Sequence, residues 1–208
     1  MLGGVTEPVG ALRVDGRLAR SARTRAAVIE ALLALYEEGD LSPTAVRVAA
    51  RAGVALRTVY GHFADMESLY AEAGERELTR VLEVGREVPA DLPFGQRVEL
   101  FAANRAVVLE HLLPLMRAAA LREATSPQLQ SNRERFVALG DAEARQVFGT
   151  ELARLPAAGR EEALHAIHLV AGGPAWVALR QDRGLPPEAA AAVLHRALSA
   201  TLHDLLAN

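Results

Sequence analysis

The feature that most constrains this sequence is the recurrence of apolar residues at spacings of three and four, in segments that glycine and proline separate. Residues 21–38 show it with one stripe, formed by Ala22, Ala26, Ile29, Leu33 and Tyr36. Alanine and leucine, both strong helix formers, make up about a third of the 208 residues, and runs of β-branched residues are scarce. The sequence therefore predicts an all-α fold of about nine helices.

Glycine and proline also mark where the helices should begin and end. Residues 1–20 lack an apolar period, and we expect a flexible arm there. Residues 21–65 should hold three helices, the second capped by Ser42, and Asp65 should cap a long fourth helix. Further helices are predicted at residues 94–112, 114–124, 127–154, 160–183 and 187–206, with a kink at Pro174. This organisation predicts a small N-terminal domain over residues 21–65 and a larger one over residues 66–208.

Composition and charge exclude several classes of protein. Cysteine is absent, which rules out disulfide frameworks, thiolate metal sites and cysteine nucleophiles. No uncharged apolar stretch is long enough to span a membrane and the N-terminus has no apolar signal core, so we expect a cytoplasmic protein without a membrane partner. The formal net charge is −3, yet residues 17–62 carry seven arginines against four acidic residues. That local excess is compatible with DNA contact by one small module, although solvated charges on a tail would give the same count.

Two short helices joined by a glycine turn are predicted within residues 43–61. Gly53 suits the turn because glycine adopts a positive φ without strain. Val59 and Phe63 should face the core, so the opposite face of the third helix points outward. This is the pattern of a helix-turn-helix, whose second helix enters the major groove of DNA.

Three short sequence matches lie between Val46 and Leu69. Ala52-Gly53-Val54 forms the turn, Thr58-Val59-Tyr60 with His62-Phe63 follows the pattern T-[LIV]-Y-x-H-F, and Glu67 with Leu69 opens the next helix. In these residues the sequence resembles the tetracycline-repressor (TetR/AcrR-like) family of bacterial transcription regulators, over residues 21–80. The resemblance implies an N-terminal helix-turn-helix DNA-binding domain and a C-terminal helical domain for ligand binding and dimerisation. It also implies a cytoplasmic repressor without enzymatic activity.

Charge and resemblance together identify candidate DNA contacts. Arg57 is the only charged side chain on the outward face of the third helix and can pair bidentately with guanine, or contact phosphate alone. The resemblance implies that Thr58, Tyr60 and His62 contact phosphate, although Tyr60 could instead close the edge of the core and His62 could cap the helix end. The candidate DNA-binding residues are Thr24, Arg25, Thr44, Arg47, Ala55, Leu56, Arg57, Thr58, Tyr60, Gly61 and His62.

Ala55 and Met66 depart from the family pattern. The family commonly has serine where Ala55 stands, and such an N-cap contributes about 1 kcal/mol. It often has lysine, a phosphate contact, where Met66 stands. Their loss predicts weaker phosphate binding. The basic arm from Arg13 to Arg25 could compensate along the DNA backbone or in the minor groove.

A ligand site is expected between residues 94 and 180. Asn104 and His111 share one face of the predicted helix 94–112, together with the apolar residues Leu100 and Val107. Small-molecule pockets are mostly apolar, with a few polar groups that orient the ligand. We therefore expect a small, largely hydrophobic effector, although ordinary core packing would give the same pattern. The candidate ligand-binding residues are Phe101, Asn104, Val108, His111, Met116, Phe136 and Trp176.

The last two predicted helices carry stripes of small and aliphatic residues, which suit the interface of a homodimer. A dimer with a two-fold axis should bind a palindromic operator. The candidate interface residues are Gly172, Gly173, Leu194, Leu198, Thr201, Leu202 and Leu205. The same stripes could instead pack within one subunit.

Two other functions remain open at this point. Glu162 and His165 have the i, i+3 spacing of di-iron helix bundles, which would suit a helical metal-dependent enzyme. No other histidine has a glutamate three residues before it, so the second half of such a site is missing. A carrier of apolar ligands with a vestigial DNA module is the other alternative. We expect neither a cofactor nor a metal.

Overall fold

The structure is a computed structural model that describes residues 9–206, with side chains described for residues 16–205. Its helices are α1 (Val9–Glu37), α2 (Ala45–Arg51), α3 (Leu56–His62), α4 (Met66–Val84), α5 (Phe94–Ala120), α6 (Pro127–Val147), α7 (Gly149–Leu152), α8 (Ala157–Ala171), α9 (Gly173–Val177) and α10 (Pro187–Leu206). A 3-10 turn at Glu123–Thr125 precedes α6, and a π-helical segment at Ala178–Asp182 follows α9. The described residues contain no strand, so the predicted all-α fold is confirmed. Within the same range, none of the helices has the length and apolar character to cross a membrane.

The helices α1, α2 and α3 share one apolar core with the first half of α4. Val28, Val48, Phe63 and Leu69 are central to it. The turn between α2 and α3 is made at Gly53, whose φ of +67° lies in the left-handed region that favours glycine. The predicted helix-turn-helix is therefore present.

Two predicted features of the N-terminal part are wrong. The first helix begins at Val9 rather than near Ser21, so residues 9–20 are helical rather than a flexible arm, and residues 1–8 lie outside the described residues. The alanine, leucine and arginine in this segment favour helix even without an apolar stripe. Ser42 does not cap α2, because Thr44 takes that place and its hydroxyl accepts a hydrogen bond from the Arg47 backbone N–H. Asp65 caps α4 as predicted, in a reciprocal capping box with Ser68.

Several helix boundaries in the second half also differ from the prediction. The helix α5 continues through Pro114, because buried residues on both sides of the proline hold it in place. The predicted helix 160–183 is divided at Gly172, and the predicted helix 127–154 is divided at Phe148. The helix α10 has the predicted bounds of 187 and 206.

A second apolar core lies among α5, α8, α9 and α10 and includes Phe101, Trp176 and Leu198. A smaller cluster around Val81 and Leu112 joins α4, α5 and α6. The helix α4 therefore links the first core to the helical body that follows it.

Candidate DNA-binding surface and ligand cavity

The helix α3 turns one face to the core and the other to solvent. Val59 and Phe63 are buried, as predicted, whereas Leu56 and Tyr60 are exposed, Tyr60 by 53%. Arg57 is exposed on the same face, and no residue that the structure describes pairs with its guanidinium. An unpaired arginine on an outward-facing helix is available to the edges of bases.

The helix α2 packs against α3 and adds further exposed side chains. Thr44 and Arg47 are both exposed, and Arg47 Nε lies 3.1 Å from Asp40 Oδ2. Val46 is exposed between them. Apolar side chains can contact the thymine methyl group in the major groove, so Val46 is a further candidate that the sequence prediction did not include.

The remaining candidates of this surface are less prominent. Thr24, Thr58 and His62 are half-buried, and Gly61 is exposed. Ala55 is the N-cap of α3 and makes no side-chain hydrogen bond there, in keeping with its departure from the family pattern.

Arg25, a predicted phosphate contact, instead forms hydrogen bonds within the protein. Its Nε donates to Glu72 Oε2 at 2.7 Å, and its Nη1 donates to the carbonyl oxygen of His62 at 2.6 Å. Its guanidinium lies 4.7 Å from the centroid of the Phe63 ring. The hydrogen bond to Glu72 raises the pKa of Arg25. Arg25 thus ties α1 and α4 to the end of α3 and fixes the orientation of the exposed face.

A cavity of about 350 Å³ lies between α5 and α6, and the junction of α8 and α9 completes its wall. Most of the lining is apolar, including Val81, Val108, Leu112, Met116 and Phe136. The charged and hydrogen-bonding side chains that line it are Arg105, Glu123, Asn132, Arg133 and His168. This size and this balance of apolar and polar groups are typical of a small-molecule site.

Three of the seven predicted ligand-binding residues, Val108, Met116 and Phe136, line this cavity. Phe101 and Trp176 do not, because both are buried in the core of the helical body.

Asn104 and His111, predicted to orient the ligand, are also absent from the lining. Asn104 Nδ2 donates to Glu143 Oε1 at 2.5 Å. His111 Nε2 lies 2.8 Å from Glu77 Oε2. Both polar side chains therefore serve contacts between helices of the same chain.

The sequence prediction chose a face of α5 that does not line the cavity. The stripe chosen from the sequence also held Leu100 and Val107, which are exposed. The cavity-facing stripe of α5 is a neighbouring one that contains Arg105, Val108 and Leu112. Its spacing was visible in the sequence, but an arginine within it argued against burial.

Asn132 connects the cavity wall to α4. Its Nδ2 donates to the carbonyl oxygen of Tyr70 at 2.9 Å. Gly74 makes this approach possible, since a Cβ there would lie 2.4 Å from the same nitrogen. Nearby, Ser126 Oγ donates to Glu67 Oε2 at 2.8 Å. The start of α6 is therefore bound directly to α4, the helix that follows α3.

The main predicted dimer residues are wrong, because they lie inside the subunit. Leu194, Leu198 and Leu202 are buried in its own core, where no second chain can reach them. Gly172 and Gly173 also serve internal contacts: a Cβ on Gly173 would lie 2.6 Å from Met116 Sδ, and one on Gly172 would lie 2.3 Å from a backbone oxygen. Thr201 and Leu205 are half-buried.

The opposite faces of α8 and α10 are apolar and open to solvent. Leu169 is 75% exposed and Val193 is 44% exposed. Ala166, Ala197 and Ala200 continue these faces at helical spacing and are exposed or half-buried. Because α8 packs against α10, the two faces lie side by side and leave small and aliphatic side chains open to solvent.

Comparison with solved structures finds proteins of the same fold. A transcriptional regulator from Rhodococcus sp. Rha1 matches with a TM-score of 0.67 and 22% identity, over 88% of this chain and 96% of that one. A protein described as a TetR-family transcriptional regulator, from Mesorhizobium loti MAFF303099, matches with a TM-score of 0.65 and 22% identity, over 89% of this chain and 98% of that one. A protein described as a transcriptional regulator, from Pseudomonas aeruginosa PAO1, matches with a TM-score of 0.63 and 20% identity, over 88% of this chain and 93% of that one. No family model and no curated protein matches the sequence. At these identities the similarity establishes a shared fold.

Proposed function

We propose that this chain is a DNA-binding transcriptional regulator of the TetR type. It binds a palindromic operator as a homodimer and is released by a small, largely hydrophobic effector. The observation that carries the proposal is the outward face of α3, where Arg57 and Tyr60 are exposed on a short helix anchored by Val59 and Phe63. The sequence motif in this helix and the fold shared with transcriptional regulators support the same function.

In this proposal Arg57 reads a base, and the exposed side chains around it contact phosphates. The Tyr60 hydroxyl, Thr44 and Arg47 are placed for phosphate oxygens, which position the protein without reading sequence. Arg25 acts through α3, which it holds in place, rather than by touching DNA.

The N-terminal turns of α1 extend the basic surface, since Arg17, Arg20 and Arg23 are all exposed. A helix is about 10–12 Å across with its side chains, whereas the minor groove is about 6 Å wide. The helical form of this segment therefore favours contact with the phosphate backbone over entry into the minor groove.

The homodimer forms through the exposed faces of α8 and α10. Replacement of Leu169 and Val193 together by glutamate should give a folded monomer without specific DNA binding, because each apolar contact becomes a charge. Sedimentation measures the assembly, and circular dichroism checks the fold. Leu198→Glu is the contrasting variant: it places a charge in the core and should unfold the protein. A dimeric double variant would locate the interface elsewhere.

The effector binds in the cavity and acts through α4. Asn132 and Tyr70, together with Ser126 and Glu67, join the wall to this helix. A ligand that moves α6 would therefore shift α4 and change the separation of the two DNA-reading units. We expect the effector to release the protein from DNA, so that the DNA-bound protein without effector is the repressing form.

Selection of bound sequences from random DNA tests the proposal. The wild-type protein should enrich a palindrome, and Arg57→Ala should relax one base preference per half-site at a cost of about 1–3 kcal/mol. Arg183→Ala, which changes an exposed arginine far along the chain, should leave selection unchanged. Uniform weakening by Arg57→Ala would make it a phosphate contact, and the absence of any enriched sequence would reject the regulator function.

A further inference from the structure

One end of the cavity is formed by an arginine whose hydrogen-bonding capacity is largely unused. The Arg105 side chain is only 11% exposed, and its Nη1 lies 3.6 Å from Glu143 Oε2. That distance exceeds a hydrogen bond. Its Nε donates to the carbonyl oxygen of Ala171 at 3.1 Å. Burial lowers the pKa of Arg105, so the charged form is incompletely compensated.

The polar groups at the other end of the cavity are already engaged. Arg133 forms an ion pair with Glu123. Asn132 donates to the carbonyl oxygen of Tyr70. Among the described lining residues, this leaves Arg105 and His168 to meet a polar part of a ligand.

Arg105 lines the cavity together with Gly140 and His168. Gly140 lies beside the Arg105 guanidinium, and a Cβ there would come within 3.3 Å of Nη1. Asp141 and Glu143 balance part of the charge, but neither lines the cavity. His168, which does line it, has its Nδ1 3.7 Å from Asp141 Oδ1. A ligand group at this end therefore meets cationic or neutral donors rather than carboxylates.

The cavity is elongated away from Arg105. Its lining on α5 runs from Arg105 to Ala120, about 22 Å at the rise of a helix. On α6 it runs from Leu129 to Gly140, about 16 Å. Between the two ends the walls are made mainly of aliphatic and aromatic side chains. The shape suits a chain-like molecule with one polar end.

We infer that the ligand is an elongated aliphatic carboxylate, whose headgroup accepts hydrogen bonds from the Arg105 guanidinium and whose chain lies between α5 and α6. The inference rests on the proposed function and names the chemical class of its effector. A carboxylate matches the planar fork of arginine, and such a charge-assisted contact is strong in an apolar site.

Calorimetric titration of the full chain with decanoate, decanol and decylammonium tests the headgroup on the unaltered protein. The three share a chain and differ in charge. Decanoate should bind about 10- to 100-fold more tightly than decanol, since a hydrogen bond to a charged group contributes about that factor. Decylammonium should bind most weakly. Equal affinity for decanoate and decanol would overturn the inference.

Two arginine variants place the contact within the cavity. Arg105→Gln should reduce decanoate affinity to that of decanol, and Arg105→Lys should keep a preference for the acid. Arg117→Gln, which changes an exposed arginine of α5 outside the cavity lining, is the matched control and should bind decanoate as the wild type does. Circular dichroism verifies the fold of each. Should Arg105→Gln unfold, Arg105→Lys and Arg117→Gln decide, because a lysine variant without acid preference, or a control that loses it, contradicts the assignment.

Retardation of the selected DNA, with and without decanoate, separates this inference from the proposed function. Retardation without any decanoate binding would refute the ligand class and leave the regulator function standing. Decanoate binding that depends on Arg105, without retardation of any DNA, would refute the regulator function and leave the ligand class standing.

Discussion

The helix-turn-helix unit of α1 to α3 and the helical body from α5 onward use a half-buried or buried arginine in opposite ways. In the first, the Arg25 guanidinium donates to Glu72 and to the carbonyl oxygen of His62. In the second, Arg105 donates to a single backbone oxygen and approaches Glu143 no closer than 3.6 Å. The Arg25 guanidinium thus makes three hydrogen bonds to groups of its own chain. Among the described residues, the Arg105 guanidinium makes one.

The apolar packing differs in the same sense. The core of the helix-turn-helix unit closes around Phe63 and Leu69. The lining of the large cavity begins only at Val81 and continues through the body. In the proposed function the exposed face of α3 has to hold one orientation, whereas an effector can stabilise one of two states only where the protein leaves room for it. The filled core of the first region and the cavity of the second suit these two roles.

The largest effect that could break this comparison comes from truncating one leucine in each region. Leu69→Ala, which removes a fully buried side chain, should lower the free energy of unfolding by about 4–5 kcal/mol. Leu112→Ala should cost about 2–3 kcal/mol, because this side chain already faces the cavity and has fewer contacts to lose. Urea unfolding followed by circular dichroism measures both free energies. A similar dependence of the free energy on urea concentration would show that both variants undergo the same unfolding transition. An equal loss in the free energy of unfolding for the two variants would contradict the difference in packing between the two regions.

A smaller effect, of opposite sign in the two regions, is expected from adding one methylene group. Val28→Leu should destabilise the protein by about 1–3 kcal/mol, because the core around it has no space. Val108→Leu extends into the cavity and should stabilise the protein by about 0.5–1 kcal/mol. Thermal unfolding of the two variants beside the wild type gives the signs. Destabilisation by Val108→Leu would mean that the cavity wall cannot accept more volume.

The helix-turn-helix unit could largely be predicted because its signals are local. Gly53 sets the turn, and the spacing of Val59 and Phe63 defines which face of α3 is buried. The role of Arg25 could not be predicted, since its partner Glu72 lies 47 residues along the chain. From the sequence alone, an arginine near a predicted DNA-binding helix is interpreted as a phosphate contact, because the sequence does not show that Glu72 lies beside it.

The helical body was less predictable because helical periodicity reports burial but not what covers a face. The stripe of Leu194, Leu198 and Leu202 was correctly apolar, yet the subunit's own α5 and α8 cover it. In α5, several apolar stripes overlap, and only the fold distinguishes the exposed Val107 from Val108 at the cavity.

The smallest expected effect concerns a contact that holds the cavity wall. Glu110 of α5 accepts hydrogen bonds from Arg180 Nε at 2.8 Å and from Trp176 Nε1 at 3.0 Å. The hydrogen bond from Arg180, assisted by Trp176, lowers the pKa of Glu110 below its usual range. Glu110 therefore ties α9 and the segment after it to α5 while it is charged.

Because the folded-state pKa of Glu110 is lower than the unfolded value near 4.3, its contribution is complete above about pH 4.3 and is lost as the pH falls through the folded-state pKa. The side chain is 34% exposed, so screening should keep that contribution below about 1 kcal/mol. Glu110→Gln should accordingly be less stable than the wild type at neutral pH and converge with it in acid. Glu83→Gln, on an exposed part of α4, should follow the wild type throughout. Emission from Trp176, the only tryptophan of the chain, reports the contact between α9 and Glu110, because its Nε1 donates to that carboxylate. If Glu110→Gln remained less stable than the wild type in acid, the lost stability would come from altered packing rather than from the charge of Glu110.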